Sequence, residues 1–226
     1  PRTVELTTRG RREYDRLRRE LFVELDAHRN ETKILRIPTV LARVTRLRQY
    51  LVDPGLLGAR EPSVKYPEVL NLLRDVQQPT VVFTMFREAA ERLKTFLAKQ
   101  KLRVGLLHGG VKVHTGERHQ VKRDFIAGKY DALVVTIKAG GQSLNLGKYG
   151  LLIMLDLPWH PRDYEQVEGR VDRPEEGTGK MVPTTAFRIL VADSYEQRLE
   201  QQKLRSKHSM FTQGFSATNL EELFNR

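Results

Sequence analysis

The sequence predicts an α/β fold, with a mostly parallel sheet covered by helices on both faces and a helical segment in front of it. Three observations carry this. Five short apolar or β-branched runs recur between residues 80 and 190, helix-like stretches separate most of them, and residues 1–60 show helical rather than alternating periodicity. Strands that alternate with helices imply parallel pairing, because each crossover returns the chain to the same end of the sheet.

The first helix starts near Thr8, the candidate cap, and places Tyr14, Leu17, Leu21 and Leu25 at steps of three and four. Arg11, Arg12, Arg16, Arg18 and Arg19 fall mostly elsewhere on the wheel, either as a solvated face or as contacts for DNA. A second helix follows Ile37, with Pro38 in its first turn and Val40, Val44, Leu47 and Leu51 on one side, and Asp53-Pro54-Gly55 ends it. The strand candidates are "TVVFTMF" (80–86), "LRVGLLH" (102–108), "DALVVT" (131–136), "GLLIMLDL" (150–157) and "TTAFRIL" (184–190). Between the first two, Phe86, Ala90, Leu93 and Leu97 form a helical stripe, and another helix runs from about Thr115 to Ala127 before Gly128. A helix capped near Ser194 follows the last strand, carrying Tyr195, Leu199, Lys203 and Leu204, either as a brace or as a simple packing helix. The expected organisation is a helical segment over 1–60, the α/β domain over 61–205 and a partly disordered C-terminal extension over 206–226.

Composition narrows the function classes. The 226 residues carry a formal net charge of +11, which favours an anionic polymer as partner. Residues 1–60 hold 14 Lys and Arg against 8 Asp and Glu, so the first quarter is the more basic part. The absence of cysteine excludes disulfides and thiolate metal sites, and fits a reducing compartment. The longest apolar runs, such as "LLIML", are too short to span a bilayer, so no membrane partner is expected. A first residue of proline, not methionine, points to a piece of something longer.

In parallel sheets ligands gather beyond the carboxyl ends of the strands, which directs attention to three loops. Gly109-Gly110 after the second strand, and Gly140-Gly141 in "IKAGGQSLNLG" after the third, let backbone approach a phosphate closely, although glycine pairs also make ordinary turns. After "LDLPWHPRD" a helix with Asp163 as cap candidate would carry Gln166, Arg170 and Arg173 at i, i+4 and i+7. That spacing aims all three one way. Two converging guanidiniums repel unless an anion lies between them, so either a phosphate ligand or local carboxylates such as Glu165, Glu168, Glu175 and Glu176 must balance them.

The ordered set "PTVVFTMFREAAERLKTFL", "LHGG", "TIKAGGQSLNL" and "LDLPWHPRDYEQVEGRVDR" resembles the second RecA-like domain of superfamily two helicases, specifically the Swi/Snf-type ATP-dependent DNA translocases. "VELTTRGRREYDRLRREL", "LARVTRLRQYLVDPGLL" and "SVK" (63–65) resemble the helical connection and entry to that domain, so the likeness reaches to about residue 205. Two departures are Ser143, where the family usually has glycine, and "PEEGTGK" after Arg173.

The resemblance implies a RecA-like sheet and one half of a motor. Gln166, Gly169, Arg170 and Arg173 match its last motif, Q-x-x-G-R-x-x-R, whose arginines reach ATP held on the other motor domain, making Arg170 and Arg173 the catalytic candidates. Gly140, Gly141 and Asn145 would line the nucleotide cleft with Gln166, while Thr84, Gly109, Gly110, Thr136 and Lys138 would hold DNA phosphates. His108 reads as a buried core histidine. The chain contains neither G-x-x-x-x-G-K-[ST] nor an Asp-Glu pair ending an apolar strand. "GTGK" (177–180) is not a phosphate loop, since Pro174 and Met181 stand where glycine and Ser or Thr are required. ATP and Mg2+ would therefore sit mainly on an N-terminal RecA-like domain of the parent chain, and this piece alone would not hydrolyse ATP. The implied partners are double-stranded DNA and that domain, in a bacterial or viral cytoplasm or nucleoid rather than a nucleus. A non-catalytic nucleic-acid-binding or scaffold module of the same fold is the alternative, and an RNA helicase is disfavoured by the "GGQSLNL" and "QVEGRVDR" forms.

Overall fold

The computed structural model describes residues 1–28, 38–109, 116–136, 149–158, 167, 183, 185–205 and 217–224. The chain divides into two compact units, Pro1–Arg2 with Lys65–Ile189, and Thr3–Val64 with Leu190–Arg226.

The first unit holds most of the sheet. Its strands are β2 (Thr80–Thr84), β3 (Val104–Leu107), β4 (Ala132–Thr136), β5 (Leu151–Met154) and β6 (Thr185–Val191), and a short β1 (Arg2–Val4) completes the order β1-β6-β5-β2-β4-β3. The pairings β3–β4, β4–β2, β2–β5 and β5–β6 are all parallel. Among the described residues, this unit has the helices α3 (Lys65–Val76), α4 (Arg87–Lys99) and α5 (Glu117–Ile126). Every residue of β2, β4 and β5 is buried, as continuous apolar runs in a parallel sheet require. Their side chains and Phe125 form a core that includes Val81, Phe83, Leu133, Met154 and Val167. Gly105 has a packing reason in β3, since a Cβ there would lie 2.9 Å from both Leu133 and Tyr130. Gly128, with φ 74°, follows the C-cap Ala127 and closes α5 in the left-handed conformation that the sequence signalled.

The helical unit contains α1 (Thr8–Ala27), α2 (Pro38–Val52), α6 (Tyr195–Arg205) and α7 (Ala217–Phe224). Tyr14, Leu17, Leu21 and Leu25 are buried as the periodicity predicts, against a set that includes Val40, Val44, Leu47 and Leu51. The cap of α1 is Thr7 rather than Thr8, with its Oγ1 accepting from Gly10 N at 3.0 Å. Asp53 caps the 3-10 turn Pro54–Leu57 through a 2.8 Å bond from Gly55 N. Ser194 starts α6: its Oγ accepts from Glu196 N at 3.2 Å and donates to Val191 O at 2.7 Å, while the Glu196 carboxylate accepts from Val191 N at 3.0 Å. Tyr195 N donates to the Tyr14 hydroxyl at 3.2 Å, and burial raises the Tyr14 pKa to about 12.

The sequence signals missed three elements. β1 and α3 went unnoticed, and residues 217–224, expected within a loose tail, form a helix whose Leu220, Leu223 and Phe224 are fully buried. The Phe224 ring lies 5.0 Å from that of Tyr195, so apolar contact rather than sequence length fixes this segment. The expected α6 positions Lys203 and Leu204 have side chains outside those described, as do the cap candidates Thr115 and Asp163.

Candidate functional site at the carboxyl edge of the sheet

Parallel register brings the ends of β2, β4 and β3 to one level. Thr84 pairs with Thr136, and Leu107 with Val135, so His108 and Gly109 emerge beside the last residue of β4. Thr84 and Thr136 are 1% and 3% exposed, and Gly109 is exposed. The Thr84 hydroxyl accepts from Phe86 N at 3.3 Å, which turns the chain into α4. Of the residues singled out for phosphate or nucleotide contact, these three are brought to one edge. Gly110, Lys138, Gly140, Gly141, Asn145, Gln166, Arg170 and Arg173 lie outside the described residues. Val167, next to Gln166 in sequence, is fully buried in the core.

Two buried ionisable side chains stitch the turn after β2 to the segment after β5. Asp156, 2% exposed, accepts from Met85 N with both carboxylate oxygens at 3.0 and 3.1 Å. Lys65, with no exposed surface, donates from Nζ to Leu155 O at 2.7 Å, and Leu155 N donates to Phe83 O at 2.9 Å. Neither residue was singled out from sequence. An aspartate breaking the apolar run "LLIMLDLP" was a readable signal, but a lysine opening an amphipathic helix looks the same whether it is buried or exposed.

The edge near β3 is electropositive. His108 is 8% exposed, and its carbonyl accepts from Arg118 at 3.2 Å. Its Nε2 lies 3.5 Å from Glu91, which also holds Arg87 at 2.8 Å. Burial first, and then Arg87, depress the His108 pKa below its ordinary value, with Arg118 and Lys94 adding to this against the opposing pull of Glu91. The imidazole is thus kept neutral among cations, as a core histidine would be. Exposed backbone at Gly109 with arginines nearby can receive a phosphate oxygen.

Residues 64–175 match the family model described as the helicase conserved C-terminal domain. This segment belongs to that family. The helicase C-terminal segment thus runs from Val64 through every strand from β2 to β5. Over 106 residues the chain is 32% identical to an uncharacterized ATP-dependent helicase, YqhH, of Bacillus subtilis, covering 47% of this chain but 18% of that protein. The fold is that of the Sulfolobus solfataricus SWI2/SNF2 ATPase C-terminal domain, with a TM-score of 0.73, 20% identity, and coverage of 99% of this chain and 96% of that one. It also matches the SWI2/SNF2 ATPase core from the same organism, solved in complex with dsDNA, at a TM-score of 0.73 and 19% identity, over 100% of this chain and 50% of that chain. The helicase C-terminal segment is therefore carried on the RecA-like α/β fold that these two structures share. Among the described residues, no helix is long and apolar enough to cross a membrane.

Proposed function

We propose that the chain is the C-terminal half of an ATP-dependent DNA translocase motor. The observation that carries this reading is the helicase C-terminal match over 64–175, which contains the whole run from Gln166 to Arg173 together with all three threonine and glycine positions of the sheet edge. ATP and Mg2+ would be held mainly by an N-terminal RecA-like domain of the same parent. Bound there, the nucleotide supplies the energy of phosphoryl transfer, and this chain supplies positioning and charge. Arg170 and Arg173 stabilise negative charge on the transferring phosphoryl group, and Gln166, Gly140, Gly141 and Asn145 line the nucleotide cleft. Thr84, Gly109, Gly110, Thr136 and Lys138 hold phosphates of duplex DNA without reading bases. Alternate closing and opening of the two lobes then moves the protein along the duplex.

Arg173→Ala in the complete parent is expected to abolish most DNA-stimulated ATP turnover while leaving duplex binding nearly unchanged; normal turnover would remove the arginine from the mechanism. The isolated chain should show no DNA-stimulated turnover. A non-catalytic binding module of the same fold would lack a phosphate loop and an Asp-Glu box in the parent sequence ahead of this segment, so reading that sequence separates the two.

A further inference from the structure

A cleft of about 630 Å3 opens within the helical unit, lined by Arg9, Arg12, Glu13, Arg16, Arg19 and Arg60, with Glu61 and the small residues Gly58 and Ala59 completing it. We propose that this cleft binds the phosphodiester backbone of duplex nucleic acid, at a site distinct from the sheet edge. It goes beyond the motor reading and stands or falls without it.

The helix geometry creates the stripe. Arg9, Arg12, Arg16 and Arg19 recur at steps of three, four and three along α1, so they share one face. At 1.5 Å per residue the row spans about 15 Å, enough to meet several phosphates of one duplex. Arg60 faces this row across the cleft from the turn that follows α2. A row of like charges on one helix face is unfavourable when unbalanced, and only part of it is balanced. Arg16 pairs with Glu13 at 2.5 Å and also with Glu20, and Arg9 pairs with Glu61 at 2.6 Å. Arg12, Arg19 and Arg60 are exposed and have no hydrogen-bonding or ionic partner among the described residues. The other arginines of α1 behave differently: Arg11 donates to the carbonyls of Ala192 and Asp193, and Arg18 lies 3.4 Å from Asp15. The basic run is thus sorted into structural arginines outside the cleft and three uncommitted ones within it.

The lining also selects the ligand. It contains no aromatic or large apolar side chain, which a protein partner would need as an anchor and a single strand would need for base stacking. All five cations are arginines, whose planar fork suits phosphate oxygens. No acidic stretch longer than two residues occurs in this basic chain, so it cannot supply the polyanion itself.

The test compares two triple variants of the full 226-residue chain that remove the same charge. One is Arg12→Ala, Arg19→Ala and Arg60→Ala; the control is Arg74→Ala, Lys99→Ala and Lys101→Ala, exposed positions on the sheet unit. Binding to a fluorescent duplex of about 20 base pairs is followed by anisotropy across a salt series, where each lost phosphate contact flattens the log–log slope by about 0.9. The cleft variant is expected to lose about 2–3 from the slope and at least about tenfold in affinity near 0.1 M salt, with the control close to the parent chain. Glu61→Gln, which releases Arg9, should bind more tightly than the parent chain. Equal weakening in both triples would reduce the effect to bulk charge and overturn the proposal, as would unchanged binding in both. Loss of polyglutamate binding with duplex binding retained would assign the cleft to an acidic protein instead.

Discussion

At the carboxyl edge of the sheet Lys65, Asp156 and His108 are 0%, 2% and 8% exposed and turn their polar atoms on the backbone or on neighbouring charges, whereas in the cleft of the helical unit Arg12, Arg19 and Arg60 are exposed and have no partner among the described residues. The difference teaches where charge builds the protein and where it is left available. A buried carboxylate must find donors, because leaving it without them costs more than the bonds return. An exposed guanidinium carries no such obligation, and its neighbours can therefore be chosen for a ligand.

That contrast can be broken most forcefully at Asp156. Replacing it with alanine strands the Met85 N–H at a buried turn and should lower stability by about 2–3 kcal/mol in urea unfolding, with Asp156→Asn recovering part of the loss. A loss no larger than that of a surface substitution would mean the carboxylate is not structural. Next in size is Gly105→Ala, where the added methyl meets Leu133 and Tyr130 at 2.9 Å; a cost of about 1–3 kcal/mol is expected. His108 sharpens the comparison through pH. Its folded pKa lies below the ordinary value of 6.5, so the unfolded chain takes up the proton first and stability falls as pH drops below that value. The parent chain should lose stability between about pH 7 and 5 more steeply than His108→Gln, and parallel profiles would show that the imidazole is not strained by its surroundings. Smallest of all, the triple Arg12→Ala, Arg19→Ala, Arg60→Ala should change stability by no more than about 0.5 kcal/mol. A large loss would place those arginines with Asp156 as structural.

Much of this architecture was legible because the relevant signals are local. The runs at 80–86, 131–136 and 150–157 became the buried β2, β4 and β5, and the stripe Tyr14, Leu17, Leu21 and Leu25 became the buried face of α1. Strand ends were read too long, since apolar residues such as Leu155 and Leu157 continue inward after the ladder stops. The helix at 217–224 stayed hidden because it is short and the ring it packs on, Tyr195, is not its neighbour in sequence. At the candidate site, Thr84, Thr136 and Gly109 could be placed on one edge because parallel register follows from the alternation of strands and helices. Lys65 and Asp156 could not, because their roles depend on which backbone groups the folded chain leaves needing a partner. The uncommitted state of Arg12, Arg19 and Arg60 was equally invisible: it depends on Glu13, Glu20 and Glu61 having been claimed by other arginines.

The last two helices belong to the same compact unit as the first two, although strands β2 to β6 are encoded between them. During vectorial synthesis the two N-terminal helices therefore emerge from the ribosome without Tyr195, Leu220 and Phe224 to close over them, while the sheet has all its central strands at hand much earlier. The first two helices thus wait for the last two, and a chain ending before residue 190 would leave their apolar faces uncovered.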